Sequence, residues 1–438
     1  MFRRLIEESA EIKEVFKEGS VGEEITVRGW IHRIFKVGGK TFAWLRDSTG
    51  IVQVLLEKSR LTPDEWRVVK KLTRETSLEV SGRIREDIRA PGGREILADK
   101  IVVYGLSPPF PIRGKEEVEF LLNNRHLWLR SRRMTAIMKV KHTVLEALRE
   151  WLISNGWWEV TPPILTGSAV EGGATLFEVK YFDKKAYLSQ SAQLYLEVLI
   201  YTLDKVWSLT PSFRAEKSRT RRHLSEYWHL EIEGAWYDME DTMKVAEEMI
   251  AYTVRRVLED RYDELTFLGR NPEKLRPALS TPYPRITYDE AISTLQRKGL
   301  TIEWGDDLGA DEERALTEEF DTPFFVTHFP KAIKAFYMKT DSRRPEVVLG
   351  YDLLAPEGYG EIIGGSQRED NYEKLLERIR EEGLNEEDYK WYLDLRKYGS
   401  VPHSGFGLGI ERLVMWICGL DHIRDATPFP RWRGRIYP

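Results

Sequence analysis

The sequence predicts an α+β protein built from an N-terminal all-β barrel and a larger mixed domain, and three observations carry that reading. Residues 1–106 hold short runs of alternating apolar and polar positions divided by turn signals. A Pro-rich connector, SPPFPIRG (107–114), follows. Beyond it, amphipathic helical patterns mix with strand patterns to the end of the chain. The expected organisation is therefore a barrel over 1–106, a linker over 107–132 and a mixed domain over 133–438. With 438 residues, 42% hydrophobic and 31% charged, there is material for large cores, and the composition is not that of a disordered chain.

Taken in order, a leading helix is expected over residues 2–18. EITVRGWIHRIF, KTFAWLRDSTGIVQVLL, SLEVSGRIRED and EILADKIVVYG then read as barrel strands, with GG, STG and PGG as turns. A helix over 63–73 falls between the third and fourth strands, a spacing that fits an OB-fold. In the second region, residues 138–156 show helical periodicity that stops at Gly156. Residues 239–265 form another amphipathic helix, and 370–398 a charged helical stretch. Parallel βαβ alternation and a phosphate loop are both missing, which argues against a Rossmann fold.

Composition also excludes some classes. No apolar run approaches the roughly 20 residues that span a bilayer, and the N-terminus MFRRLIEESAEIKE lacks a signal-peptide core. The single cysteine, Cys418, excludes a disulfide framework and a multi-cysteine zinc site. A cytoplasmic protein without zinc or a membrane partner is expected. The net charge of −5 does not advertise nucleic acid, although phosphate contacts depend on local charge.

The segment FRAEKSRTRRHLSEYWHLEIE (213–233) carries the first chemistry. Two strand-like runs flank a loop holding Lys217, Arg219, Arg221 and Arg222. A loop of this kind can simply be solvated. Its ends, however, place Arg214 and Glu216 on one side and His223, Glu226 and Tyr227 on the other, a set suited to a bound polyanion. A second segment, PHSGFGLGIERLVMWICG (402–419), runs a glycine-lined strand into a helix, with Arg412 near the helix start. Its Gly405, Gly407 and Gly409 lack the spacing of a dinucleotide fingerprint.

Together with NGWWEVTPPIL, these segments resemble, in order, the three signature motifs of class II aminoacyl-tRNA synthetases. YLSQSAQLYLE (187–197), GEIIGGSQRE (360–369) and PRITYDEA (284–291) narrow the resemblance to the aspartyl/asparaginyl/lysyl subgroup, and it is closest to the archaeal-type asparaginyl members. The resemblance covers essentially the whole chain. It implies a catalytic domain with an antiparallel sheet flanked by helices, an anticodon-binding OB-fold, ATP and Mg²⁺. It also implies a homodimer with Pro163 and the preceding helix at the interface.

The resemblance further implies roles. An amino-acid carboxylate attacks the α-phosphorus of ATP and pyrophosphate leaves, so catalysis is positioning and charge neutralisation. Arg214 would grip the α-phosphate and the carboxylate with a planar fork. Arg222 and His223 would hold the β/γ end, and Arg412 the γ-phosphate. Tyr227 would stack on adenine, although a strand tyrosine can equally be core, and Glu216 would lie near the adenine amino group. Leu224 and Gly409 would line the same site. Glu361, with Asp352, would hold Mg²⁺ through hard oxygen ligands. In the aspartyl relatives that acid pair is closer in sequence, and a serine stands where this chain has Gly364.

Substrate choice is expected to follow from charge. Aspartate-specific relatives carry a lysine where this chain reads Leu196 in QLYLE, and an aliphatic residue cannot compensate a buried carboxylate. Glu231 can accept from a carboxamide NH₂, and Arg368 can donate to its oxygen. Glu171, beside Gly172 and Gly173, would contact the substrate ammonium, with Ser191, Gln193 and Gly364 lining the pocket. The expected reaction is ATP-dependent activation of L-asparagine and its transfer to tRNA(Asn). The alternatives are a non-discriminating aspartyl enzyme, an asparagine synthetase-related paralogue, which would normally lack the barrel, and a pure nucleic-acid-binding module. On the barrel, Phe42 and Gln53 match positions that stack on and hydrogen-bond the middle anticodon uridine. Arg28 and Arg46 would contact phosphate or base. A strand Phe can instead be core, and Arg46 can instead pair with Asp47.

Overall fold

A computed structural model describes residues 9–167, 175–216 and 220–438. The chain divides into two compact units, Met1–Val118 and Glu119–Pro438.

The first unit is a closed barrel in the order β1-β2-β3-β5-β4. Its strands are β1 (Glu24–Val37), β2 (Lys40–Arg46), β3 (Ile51–Glu57), β4 (Ser77–Glu86) and β5 (Arg94–Gly105). Period-two alternation turns Val27, Ala43, Leu45, Val54 and Val80 inward, where all are buried in one core. Closure needs tight approaches at Gly29 and Gly82, where a Cβ would collide with the carbonyls of Arg46 and Leu97. The expected helix over 2–18 is corrected over its described part. Ala10 bridges Val27, and Ile12–Phe16 is a 3₁₀ helix whose Ile12 and Val15 are fully buried in the barrel core. Backbone there finds partners in the barrel instead of within a helix, because Thr26 O takes the Ala10 N–H and the Asp47 carboxylate takes the Ile12 N–H. The helix between β3 and β4, α1 (Pro63–Val69), opens on a Thr62/Glu65 capping box and ends earlier than residue 73.

In the second unit, the strands that position the site are β10 (Lys205–Phe213), β11 (Glu226–Ala235), β14 (Gly350–Ala355), β15 (Gly360–Gln367) and β16 (His403–Gly409). With β6 (Trp158–Glu159), β12 (Arg285–Thr287) and β13 (Phe324–Thr327) they form an eight-stranded sheet in the order β12-β13-β14-β15-β16-β11-β10-β6. The strands β7 (Leu165–Thr166), β8 (Glu178–Tyr181) and β9 (Lys184–Leu188) form a three-stranded sheet, β7-β9-β8. Pairing is antiparallel except between β12 and β13 and between β10 and β6, at the two edges. Helices α2 (Arg132–Ser154), α4 (Met239–Asp260) and α8 (Ile410–Cys418) share one core with Leu230, Ile232, Phe406 and Leu408 of the central strands. Helix α2 is capped by Ser131 and ends before Gly156, whose φ is +76°. Helix α4 has its own capping box, Asp238 with Asp241, and a separate short helix, α5 (Tyr262–Phe267), completes the stretch expected as one. The charged stretch 370–398 is two helices, α6 (Tyr372–Glu381) and α7 (Lys390–Lys397), with Gly383 at φ +66° between them. Within 107–132, Val118–Asn123 and Arg125–Trp128 are helical. No described helix is long and apolar enough to cross a membrane.

One buried carboxylate holds the elements behind the site together. Glu197, on α3 (Gln193–Leu203), is fully buried. It accepts from Arg396 Nη2 at 2.6 Å, His403 Nε2 at 2.8 Å, the Tyr392 hydroxyl at 2.8 Å and Gln193 Nε2 at 3.0 Å. Burial opposes its charge, yet Arg396 and His403 hold its pKa well below the usual carboxylate range. Because that folded pKa is depressed, its contribution is complete above the unfolded value of about 4.3 and is lost as pH falls below it. Glu197→Gln should destabilise this unit by about 3–5 kcal/mol at pH 7, since Arg396 would be left buried with one counter-charge fewer. It should also flatten the acid limb of stability. Urea unfolding midpoints recorded between neutral pH and about pH 3.5 check both outcomes.

Candidate active site

Register places four residues side by side across the middle of the large sheet. Glu231 of β11 faces Gly407 of β16, Gly407 faces Gly364 of β15, and Gly364 faces Asp352 of β14. The two glycines leave a floor without side chains between two acids. A Cβ on Gly407 would enter the His229 ring, and one on Gly364 would come within 3.2 Å of Glu361 and 3.5 Å of Asp352. Above this floor lies a cavity of about 880 Å³, lined among others by Ser191, Gln193, Arg214, His229, Glu231, Asp352, Glu361, Gly364 and Arg368. The alternation of β11 explains the split: Leu230 and Ile232 join the helix layer, while His229 and Glu231 face the cavity.

At one end, Glu231 is held as an acceptor. The Ser191 hydroxyl donates to Oε1 in a short hydrogen bond, and the Ala192 N–H donates to Oε2 at 2.8 Å. His229 Nδ1 lies 3.4 Å from Oε2 and 3.1 Å from Ser212 Oγ. Arg368 lines the same cavity and is buried, its Nε and Nη2 paired with both oxygens of Glu233 and its Nη1 donating to Ser366 Oγ at 2.8 Å. Leu196 is corrected: it does not line the cavity. It is fully buried with Ala192, Ile200, Val206 and Ala235, because the i, i+4 spacing of 192, 196 and 200 forms the apolar face of α3. The residue of that helix that reaches the cavity is Gln193.

At the other end, a second pocket is lined, among others, by Arg214, Glu216, Arg222, His223, Leu224, Tyr227, Gly409, Glu411 and Arg412. Arg214 and His229 line both pockets and so join them. The Arg214 guanidinium lies 5.7 Å from the Tyr227 ring centroid. Tyr227 also packs against the main core, and Leu224 is a member of it, so each has both positions at once. His223 lies 3.7 Å from Glu216, and burial followed by the Arg412 charge lowers its pKa.

Between the two ends sits a set of paired charges. Glu361 pairs with Arg412 at 2.7 Å, and Asp352 with Lys334 at 2.9 Å. Arg222 pairs with Glu313 at 2.7 Å, and Glu313 also accepts the Glu361 N–H at 2.7 Å. Burial opposes the Glu361 charge, but Arg412 and Lys334 bring its pKa down to about 2. Asp352 is pushed up to about 7 by burial, Lys334 opposing and the Glu361 charge adding. Two carboxylates flanking one glycine, one of them short of positive charge, suit a hard divalent cation. No cluster of three or more ligating side chains exists among the described residues, so such an ion would complete its shell with water and phosphate oxygens. Sequence reasoning missed Glu313, Lys334 and His229. The first two lie outside every quoted motif, whereas His229 was readable from the 227/229/231 alternation. Glu171, Gly172, Gly173, Lys217 and Arg219 lie outside the described residues. Pro163 is exposed, next to exposed Ile164 and Leu165.

On the barrel, Phe42 is half-buried on the outer face opposite Phe35, and Trp44 stands opposite Gln53. The Gln53 amide is oriented, accepting from Trp44 Nε1 at 3.2 Å and donating to buried Glu95 at 2.7 Å. Phe42 and Gln53 are thus diagonal neighbours on one face. Arg28 is elsewhere, paired with Glu79 at 2.7 Å and seven positions along β1 from Phe35, which at strand rise is about 20 Å. Arg46 pairs with Glu75 at 2.5 Å and not with Asp47, whose carboxylate takes backbone N–H groups of Ile12, Thr49 and Gly50.

Comparison with known proteins matches this geometry. Residues 117–433 match the family of class II tRNA synthetases (D, K and N), and 25–104 match the OB-fold nucleic acid binding domain. The chain is 59% identical over 420 residues to the asparagine–tRNA ligase of Pyrococcus abyssi (strain GE5 / Orsay), covering 95% of this chain and 96% of that one. It is 60% identical over 417 residues to the asparagine–tRNA ligase of Thermococcus gammatolerans, with the same coverage. Among solved structures, asparaginyl-tRNA synthetase from Pyrococcus horikoshii complexed with asparaginyl-adenylate superposes with a TM-score of 0.96 at 58% identity, over 98% of this chain and 100% of that one. Fold, motifs and relatives agree: the chain belongs to the class II tRNA synthetases of the D, K and N group.

Proposed function

We propose that the chain activates L-asparagine with ATP and transfers it to tRNA(Asn). The observation that carries this reading is one cavity in which a held carboxylate, Glu231, and a buried guanidinium, Arg368, stand at the end opposite an arginine-lined pocket. A carboxamide presents NH₂ to Glu231 and oxygen toward Arg368. An aspartate carboxylate would face Glu231 as a second buried anion, at a cost of several kcal/mol. Without Leu196 in the cavity, the discrimination against aspartate rests on Glu231.

The asparagine carboxylate is ionised at neutral pH and needs no protein base. Arg214, shared by both pockets, bridges it to the α-phosphate, where a new C–O–P link forms as pyrophosphate leaves. Arg412 and Arg222 neutralise the departing phosphates, with Glu361 and Glu313 fixing their guanidinium groups. Glu361 and Asp352 would hold Mg²⁺, which would supply further charge neutralisation for the phosphates. The terminal adenosine 3′-hydroxyl of tRNA then takes the acyl group from the adenylate and AMP leaves. Phe42 stacks on the middle anticodon base, and Gln53 reads its edge with an amide that Trp44 and Glu95 keep from flipping. Exposed Trp158, Ile164 and Leu165 around Pro163 support pairing of two copies there, and the reaction belongs in the cytoplasm with its tRNA.

In pyrophosphate exchange, kcat/KM for asparagine should exceed that for aspartate by at least about 100-fold, the effect of about 3 kcal/mol. Preference for aspartate would overturn the assignment. Glu231→Gln should cut asparagine use by about 100-fold and narrow the gap to aspartate to about tenfold or less. Phe42→Ala should raise the KM for tRNA in aminoacylation by about tenfold, within the ~1–3 kcal/mol of a base stack. An unchanged KM would place the stacked base elsewhere.

A further inference from the structure

Strand β16 ends at Gly409, opposite His229, and α8 starts at the next residue. Trp228, one position further out on β11, therefore has no β16 residue in register to receive its N–H, which still needs an acceptor. Glu411, in the first turn of α8, supplies it: Oε2 accepts the Trp228 N–H at 2.9 Å. Its other oxygen pairs with Lys141 Nζ of α2 at 2.6 Å. The pair is buried, with 1% of Glu411 and 7% of Lys141 exposed. One carboxylate thus joins all three signature segments: the helix before TPPIL, the 213–233 hairpin and the 402–419 strand–helix unit.

The two neighbours of this link matter most. Tyr227 precedes Trp228 and Arg412 follows Glu411, and both line the pocket assigned above to ATP. Glu411 itself borders that pocket, but both its oxygens are committed to protein donors and it is buried, so it acts on a nucleotide through its two neighbours. We infer that Glu411, held by Lys141, is a positioning residue that sets the spacing between Tyr227 and Arg412 and hence the affinity for ATP. Lys141 thereby makes the nucleotide pocket depend on α2. The inference rests on the ATP reading of that pocket.

The carboxylate does two jobs that a neutral acceptor does only in part. Glutamine at 411 keeps an oxygen for the Trp228 N–H, but it leaves the ammonium of Lys141 buried without a counter-charge. Methionine at 141 keeps the aliphatic volume and removes the charge that orients Glu411. Arginine at 141 keeps the charge.

The test is asparagine-dependent pyrophosphate exchange with Glu411→Gln, Lys141→Met, Lys141→Arg and the double variant Lys141→Met/Glu411→Gln, with melting temperatures alongside. The neutral double variant guards against a single variant that fails to fold. Expected is a rise of about tenfold or more in KM for ATP for each neutral variant, with KM for asparagine within about twofold of wild type. The double variant should show less than the product of the two single effects, and Lys141→Arg should stay near wild type. Lower melting temperatures with KM for ATP within about twofold of wild type would reduce the pair to a stabilising contact and overturn the inference. Tyr227→Ala, measured in parallel, separates the two levels. If it raises KM for ATP while the Glu411 and Lys141 variants do not, this inference alone falls. If it also leaves KM unchanged, the ATP reading of the pocket falls and takes the inference with it.

Discussion

The close approach of strands β11, β16, β15 and β14 at two glycines is the constraint on which the site depends. Gly407 and Gly364 sit at the centre of an eight-stranded sheet, where a side chain would ordinarily fill one face. Their bareness sinks the floor of the cavity and lets His229 lie over Gly407, while Glu361 and Asp352 flank Gly364. His229, Glu231, Asp352 and Glu361 are carried on strands and Gln193 at a helix start, while Arg214 and Ser191 stand directly beside such an element, which suits a reaction whose catalysis is mostly placement. The opposite faces of the same strands pack Leu230, Ile232, Phe406 and Leu408 against three helices, so the floor cannot sag.

Around that floor the structure accumulates ions in pairs, half-buried for Glu361 with Arg412, Asp352 with Lys334 and Glu313 with Arg222, and buried for Glu233 with Arg368, Glu197 with Arg396 and Glu411 with Lys141. Such pairs are poor sources of stability, because desolvation of both members cancels much of their attraction. Their value here is directional. Each pair fixes a guanidinium, ammonium or carboxylate in one orientation around a site that must receive several negative charges together. Asp352, pushed up to about 7 while Glu361 is held to about 2, shows how unequal two neighbouring acids become when one has more positive charge within reach.

The barrel follows a different logic. Its interior is apolar, and its outer face carries Phe42, Trp44 and Gln53. There Arg33 lies 5.3 Å from the Trp44 ring, Trp44 holds Gln53, and Gln53 holds Glu95, so a chain of contacts runs across four strands. A side-chain amide fixed from both ends presents a defined donor and acceptor, which is what reading a base edge demands.

Much of this was legible in one dimension. Alternation and turn residues determined the barrel, and apolar periodicity the long helices. The three motif segments, in their order, determined the family and most of the residues that line the site, because the chemistry of a bound triphosphate restricts residue type at short range. Tertiary structure decided what those patterns leave open. Leu196 sits in a motif but turns inward, since only the packing of α3 on the sheet distinguishes its two faces. Arg28 and Phe42 are close in sequence yet lie on distant parts of one strand pair. Glu313, Lys334 and Lys141 carry no local signature at all, because a charge is recruited to a site by the partner it meets in space, and that partner may be hundreds of residues away.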